Sequence, residues 1–131
     1  VQLDERQGDN MAIKKETSLQ ERIQRLVKAR GGYVIKTHGD MTTEPGIPDL
    51  ICCYKSLFIG IEVKVDNNKP TKNQGIHCRL IMKSNGISLV TWSVDDVKIL
   101  LDMIDTFVFC DNTAIIKQLM ISSNLDNGGS Y

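Results

Sequence analysis

Two apolar runs, Leu50 to Tyr54 and Leu57 to Val65, are separated only by Lys55-Ser56. Short runs rich in β-branched and aromatic residues read as strands, and a two-residue break between them reads as a hairpin turn. A turn centred on Lys55-Ser56 also sets the register. Tyr54 faces Leu57, Cys52 faces Ile59, and Asp49 falls opposite Glu62. Cross-strand partners keep their Cβ atoms ~4.5–5.5 Å apart on one face, where two like charges repel. A sheet has no structural reason to select that pair. A divalent cation between the carboxylates turns the repulsion into binding, and hard oxygen ligands suit Mg2+ or Mn2+. On the same ground, replacing Asp49 with alanine is expected to leave the fold intact or to stabilise it.

Lys64 lies two residues beyond Glu62 and shares its face. An ammonium beside two carboxylates and a metal can hold an attacking water and stabilise the charge that builds on a phosphate. Val63 between them points into the core, and its carbonyl is available as a further metal ligand. A plainer reading is a surface hairpin with an unrelated Asp and a Glu-x-Lys triplet, and such triplets are common. The string Gly46-Ile47-Pro48-Asp49, followed after twelve residues by Glu62-Val63-Lys64, is far more specific, because spacing, strand context and register agree.

The rest of the chain supplies elements to surround this hairpin. Leu19, Ile23, Leu26 and Val27 recur at helical spacing and predict a helix over 16–30, stopped by Gly31-Gly32. Residues 33–38 read as a strand and 39–48 as a loop. A second helix is predicted over 71–84, with Ile76, Leu80 and Ile81 inward, and a buried strand over 87–92. Ser93 with Asp96 predicts a capping box for a third helix over 94–104. A further strand at 107–110 and a helix near 113–122 are possible continuations. The expected fold class is α/β, an αβββαβ core with a mixed central sheet flanked by helices and an extra C-terminal element. By domain, 1–10 reads as a leader, 11–105 as the folded unit, and 106–131 as an extension packed on it or at a dimer interface, loose at its end.

With 41% hydrophobic and 24% charged residues, the composition is that of an ordinary globular domain. No apolar run approaches the ~18 residues of a membrane span, so the expectation is a soluble, intracellular protein. The net charge of zero conceals an asymmetry. Residues 11–92 hold 13 Lys and Arg against 7 Asp and Glu, whereas both ends are acidic. The segment with the candidate site is basic, as a phosphate-binding face requires. The four cysteines, Cys52, Cys53, Cys78 and Cys110, form no zinc-ligand spacing even with His38 and His77, and read as reduced and mostly buried.

From Glu16 to Asp102 the sequence resembles a VRR-NUC domain of the PD-(D/E)xK nuclease superfamily, in the form of its stand-alone phage members. The residues that carry the resemblance are Glu16 opening the first helix, Gly31 to Lys36, Gly46 to Leu50, Glu62-Val63-Lys64, and Pro70-Thr71 with Gln74. It implies a catalytic set of Glu16, Asp49, Glu62 and Lys64. Glu16 is preferred to Glu21 for its spacing to Leu19, Ile23 and the glycine pair. Gln74 occupies the family's helix-two Gln position, where it either orients the nucleophilic water or is simply exposed. Asp49, Glu62 and the Val63 carbonyl are the expected ligands of Mg2+ or Mn2+. Lys36 matches a family position near the site; it, Lys69 and Lys72 are candidate DNA contacts, as are Arg22, Arg25, Lys28 and Arg79 on the helices.

The resemblance implies a metal-dependent endonuclease for branched DNA, most simply a Holliday (four-way) junction resolvase acting as a homodimer, with no membrane partner. The alternatives are a nickase, flap or restriction-like nuclease, or a non-catalytic DNA-binding module. The short chain leaves little room for sequence recognition. An inactive module would be free to lose the repelling carboxylates.

Overall fold

The computed structural model describes residues 5–38 and 44–107. They form α1 (Glu5–Ala29), β1 (Tyr33–Lys36), β2 (Leu50–Tyr54), β3 (Leu57–Val63), α2 (Lys72–Lys83), β4 (Ile87–Thr91) and α3 (Val94–Phe107). The hairpin has the predicted register, with Tyr54 paired to Leu57, Cys52 to Ile59 and Leu50 to Ile61. Lys55 and Ser56 both take positive φ, 47° and 71°. That conformation matches the right-handed twist of the flanking strands.

The sheet runs β1-β2-β3-β4. Its first three strands are antiparallel, and α2 crosses over to bring β4 parallel to β3. One face carries Val34, Leu50, Cys52, Tyr54, Ile59, Ile61 and Val63 into the core against Ile23 and Val27 of α1 and Val97, Leu101 and Ile104 of α3. α1 and α3 touch each other across this layer. α2 covers part of the opposite face, where Gly60 is fully enclosed: a Cβ there would lie 2.8 Å from Ile81 Cδ1 and 2.9 Å from Pro48 Cγ. The mixed α/β architecture is therefore as the sequence predicts.

Several local expectations need correction. α1 begins at Glu5, well before 16, but residues 5–11 are all exposed, so no apolar period marks them. In α2, Ile76 and Leu80 do not face inward: they are 37% and 53% exposed, and no residue of the helix is fully buried. Ile81 does pack on the sheet, against Gly60, and the contacts of α2 with the sheet are chiefly to β3 and β4. β4 is half-buried rather than buried, being the edge strand among the described residues, with only Thr91 of the strand fully enclosed.

The Ser93–Asp96 box is replaced by a different cap, in which the buried Thr91 hydroxyl donates to Asp96 Oδ2 at 2.8 Å and accepts from Ser93 N–H at 3.1 Å. α3 runs through Phe107, so no strand starts there; 108–110 and the helix near 113–122 lie outside the described residues. Of the three described cysteines, all free, only Cys52 is buried, and burial pushes its thiol up to about 12. Cys53 is exposed and Cys78 half-buried.

The far end of the molecule is tied together by Asp105. It accepts from Tyr54 Oη at 2.6 Å and pairs with Arg30 and with Lys55 at the hairpin turn. These partners hold its carboxyl well below the usual range, with the hydrogen bond from Lys55 the largest cause. α3 is thereby clamped to the end of α1 and to the hairpin turn.

Candidate active site

The end of β3 opposite the turn delivers Glu62, Val63 and Lys64. Val63 is fully buried on the core side, so its neighbours face the other way. Glu62 is only 3% exposed, and its Oε1 accepts from Gln74 Nε2 at 2.7 Å. Lys64 Nζ stands 3.8 Å from the same oxygen. The Lys64 N–H donates to the Thr91 carbonyl at 2.9 Å, which fixes the strand end against β4.

Asp49 lies one residue before β2, on the loop opened by Gly46. Gly46 has φ of 89°, and a side chain there would strike the backbone of Asn73 and Gln74. Only glycine allows the loop to lie on the first turn of α2, which brings Asp49 and Gln74 to one place. Thr37 anchors the loop from the β1 side, its hydroxyl donating to the Pro48 carbonyl at 2.6 Å and its N–H to the Asp49 carbonyl at 2.8 Å. Asp49 Oδ2 then accepts the Val63 N–H at 2.8 Å. This contact works against the expectation for alanine at 49. Asp49 does more than repel Glu62: it completes the hydrogen bonding of β3, and its loss leaves a buried-strand N–H without that acceptor.

Gln74, read from the sequence as orienting a water or as simply exposed, is half-buried and makes two sets of contacts. Its Oε1 accepts the Thr71 N–H at 2.8 Å while its own N–H donates to Thr71 Oγ1, a capping box that starts α2. With the side chain so fixed, its Nε2 is left aimed at Glu62. Glu16 arrives from α1, half-buried, while Glu21 is exposed. Burial is the largest cause of a raised Glu16 carboxyl pKa, the Asp49 charge adds to it, and Lys64 and Lys36 oppose it. Glu16, Asp49, Lys36 and Lys64 are thus close enough to feel one another.

Glu62 is the most perturbed member. Burial first, then a hydrogen bond with the Asp49 carboxyl and its charge, push Glu62 up to about 8, with Lys64 pulling the other way. Lys69 and Lys72 are exposed, on the loop before α2 and at its first position, and join none of these contacts. Arg22, Arg25, Lys28 and Arg79 are exposed on their helices. His77 faces Glu44 at 3.5 Å.

One residue was missed. Gln20 is 4% exposed, its Nε2 donates to Glu16 Oε1 at 3.3 Å, and its own Oε1 is buried without a partner. The signal was present in the sequence: Gln20 shares a helical face with Ile23 and Val27, so a polar side chain occupies a core position.

Among the described residues no three His, Cys, Asp or Glu side chains form a ready-made cage for an ion. Mg2+ does not require one, being held commonly by one or two carboxylates with waters completing its shell. The donor set fits such an ion. A buried Glu62 carboxyl lies beside that of Asp49, a backbone carbonyl lies on the same segment, and the Val63 N–H uses only one Asp49 oxygen.

No protein-family model and no curated protein matches the sequence. Solved structures do. One described as "VRR_NUC domain" superposes with a TM-score of 0.55 at 24% identity, covering 72% of this chain and 98% of its own. A second, "VRR_NUC domain protein", gives 0.54 at 21% identity, covering 69% and 84%. The chain therefore has the fold of a VRR_NUC domain.

Proposed function

We propose that the protein is a metal-dependent endonuclease acting on branched DNA, with a four-way junction as its first candidate substrate. The observation that supports this best is the convergence of Glu16, Asp49, Glu62 and Lys64, from three separate elements, around a buried carboxylate that ordinary folding would avoid. Mg2+ or Mn2+ would be held by Asp49, Glu62 and the Val63 carbonyl, and would supply Lewis acidity and a water acidified for attack on phosphorus.

The remaining functions belong to the chain itself. Lys64, 3.8 Å from Glu62, offers its side-chain nitrogen to the attacking water and to the charge developing on the phosphate oxygens. Gln74 holds Glu62 Oε1 in place, so one carboxylate oxygen keeps a fixed direction. Glu16, whose pKa is raised first of all by burial, is placed to accept or return a proton at the site. Lys36 adds positive charge on the phosphate side.

Paired incision of a four-way junction requires two sites related by a two-fold axis, and one domain of this size holds a single site. The reading therefore includes a homodimer. Its test is cleavage of labelled four-way junction, flap and linear duplex DNA with Mg2+, Mn2+ or EDTA, wild type beside Asp49→Asn. Symmetric, metal-dependent cuts confined to the junction are expected. Cutting only of flaps or nicks changes the substrate. Equal cutting by Asp49→Asn, or none with any metal, overturns the assignment.

A further inference from the structure

Trp92 sits immediately after β4, 45% exposed, although its indole N–H is engaged by the Asn68 carbonyl at 3.2 Å. That bond fixes the edge of the ring and leaves much of the indole in water. An exposed, immobilised indole costs solvation without contributing to the core, so its position asks for a flat apolar partner.

The ring lines two depressions. On one side is a cleft of about 520 Å³ between α1 and the β4–α3 junction. On the other is a smaller one of about 440 Å³ formed with Asn68 and Lys69. The α1 wall of the larger cleft presents Lys14, Lys15 and Arg22, with Asp95 as the acidic residue of its lining and Asp66 between it and the smaller depression. Lys14 and Arg22 are eight residues apart, about 12 Å along the helix, a spacing that follows an extended backbone rather than one anion. Lys15 pairs with Asp66 at 3.2 Å, but both are more than half exposed, so the pair is easily exchanged for phosphate.

The cleft shares two chain segments with the candidate site: Lys15 precedes Glu16 in α1, and Val65, which also lines the cleft, follows Lys64. Cations along one wall and an immobilised aromatic face on the other are the two components of a single-strand nucleic-acid track. A paired duplex hides its base faces and could use only the cations.

We propose that this cleft binds a single-stranded DNA segment next to the cleavage site, with Trp92 stacking on an unpaired base while Lys14, Lys15 and Arg22 meet its phosphates. The inference rests on the nuclease reading and deepens it: bases beside the scissile bond, at the crossover of the branched substrate, unpair to reach Trp92.

Trp92 is the chain's one tryptophan, so its emission reports on this site alone. The experiment follows intrinsic fluorescence and, in parallel, the anisotropy of labelled DNA as the full chain in EDTA is titrated with oligothymidylate or with a blunt hairpin duplex. Expected are quenching by the single strand that tracks its binding, and little quenching by the duplex. Trp92→Leu should weaken single-strand binding about ten-fold, and Trp92→Phe should recover most of it. Lys14→Glu with Arg22→Glu should weaken it further and flatten its salt dependence. Circular dichroism melts establish that the variants fold. Single-strand binding without quenching, equal affinity in a folded Trp92→Leu, or no single-strand binding overturns the proposal. Metal-dependent cleavage by the same preparation separates this failure from failure of the nuclease reading, since a protein that cuts DNA without engaging Trp92 loses only the cleft.

Discussion

Asp49 is the residue whose replacement distinguishes its structural from its chemical contribution. Its Oδ2 is the acceptor for the Val63 N–H, and its charge is one reason Glu62 is raised to about 8. Asp49→Ala removes both. A charged acceptor lost from a buried strand N–H costs ~1–3 kcal/mol. Asp49→Asn keeps an amide oxygen for Val63 and removes only the charge.

The two variants should therefore separate with pH. Glu62 is raised above its unfolded value, so its contribution to stability is complete below about 4.5 and is lost as pH rises through about 8. Metal-free wild type should lose stability between pH 5.5 and 8.5, and Asp49→Asn should lose less, because the Asp49 charge no longer opposes ionisation of Glu62. At pH 5.5 Asp49→Ala should melt roughly 4–12 °C below Asp49→Asn, taking ~4 °C per kcal/mol for a domain of this size. Thermal and urea unfolding in EDTA at the two pH values measure this. An Asp49→Ala protein as stable as Asp49→Asn at pH 5.5 would refute the hydrogen-bond account and restore simple carboxylate repulsion.

Four further outcomes are expected. Mg2+ or Mn2+ should raise the melting temperature more at pH 8 than at pH 6, and calorimetry in two buffers should show proton release on binding below pH 8, since the ion needs Glu62 deprotonated. Gln20→Leu, which removes the donor to Glu16 and an unpaired buried oxygen, should lower kcat about ten-fold with little change in KM and no loss of stability; a change in KM alone would count against positioning of Glu16. Gln74→Glu retains an acceptor for the α2 cap but sets a carboxylate against Glu62, so helix content should persist while cleavage falls more than in Gln74→Ala. If two copies assemble through the exposed apolar face of α2, Leu80→Lys should convert a sedimenting dimer to monomer without changing the melting temperature of the monomer; an unchanged sedimentation coefficient would move the contact elsewhere.

The site was more legible in the sequence than the packing around it, for a physical reason. The two-residue break at Lys55-Ser56 sets a register with period two, so Asp49, Glu62 and Lys64 come together from local rules. Helical periodicity carries less information, because it reports an apolar stripe without saying how much sheet lies beneath it. Ile76 and Leu80 show the difference. Their spacing is that of an inward face, yet α2 packs chiefly on β3 and β4 and leaves both in solvent. The N-terminal turns of α1 fail in the opposite sense, helical with no apolar period to announce them. Gly46, Thr37 and Gln20 act through contacts with distant elements, and nothing beside them in sequence specifies those partners. What the sequence could still have offered was a contradiction of polarity and position. A glutamine on a core face, and an exposed tryptophan next to a basic helix wall, each break the local pattern of polarity. Both breaks lie beside Glu16 and Lys64, where a gain to substrate binding or catalysis can offset their cost to folding.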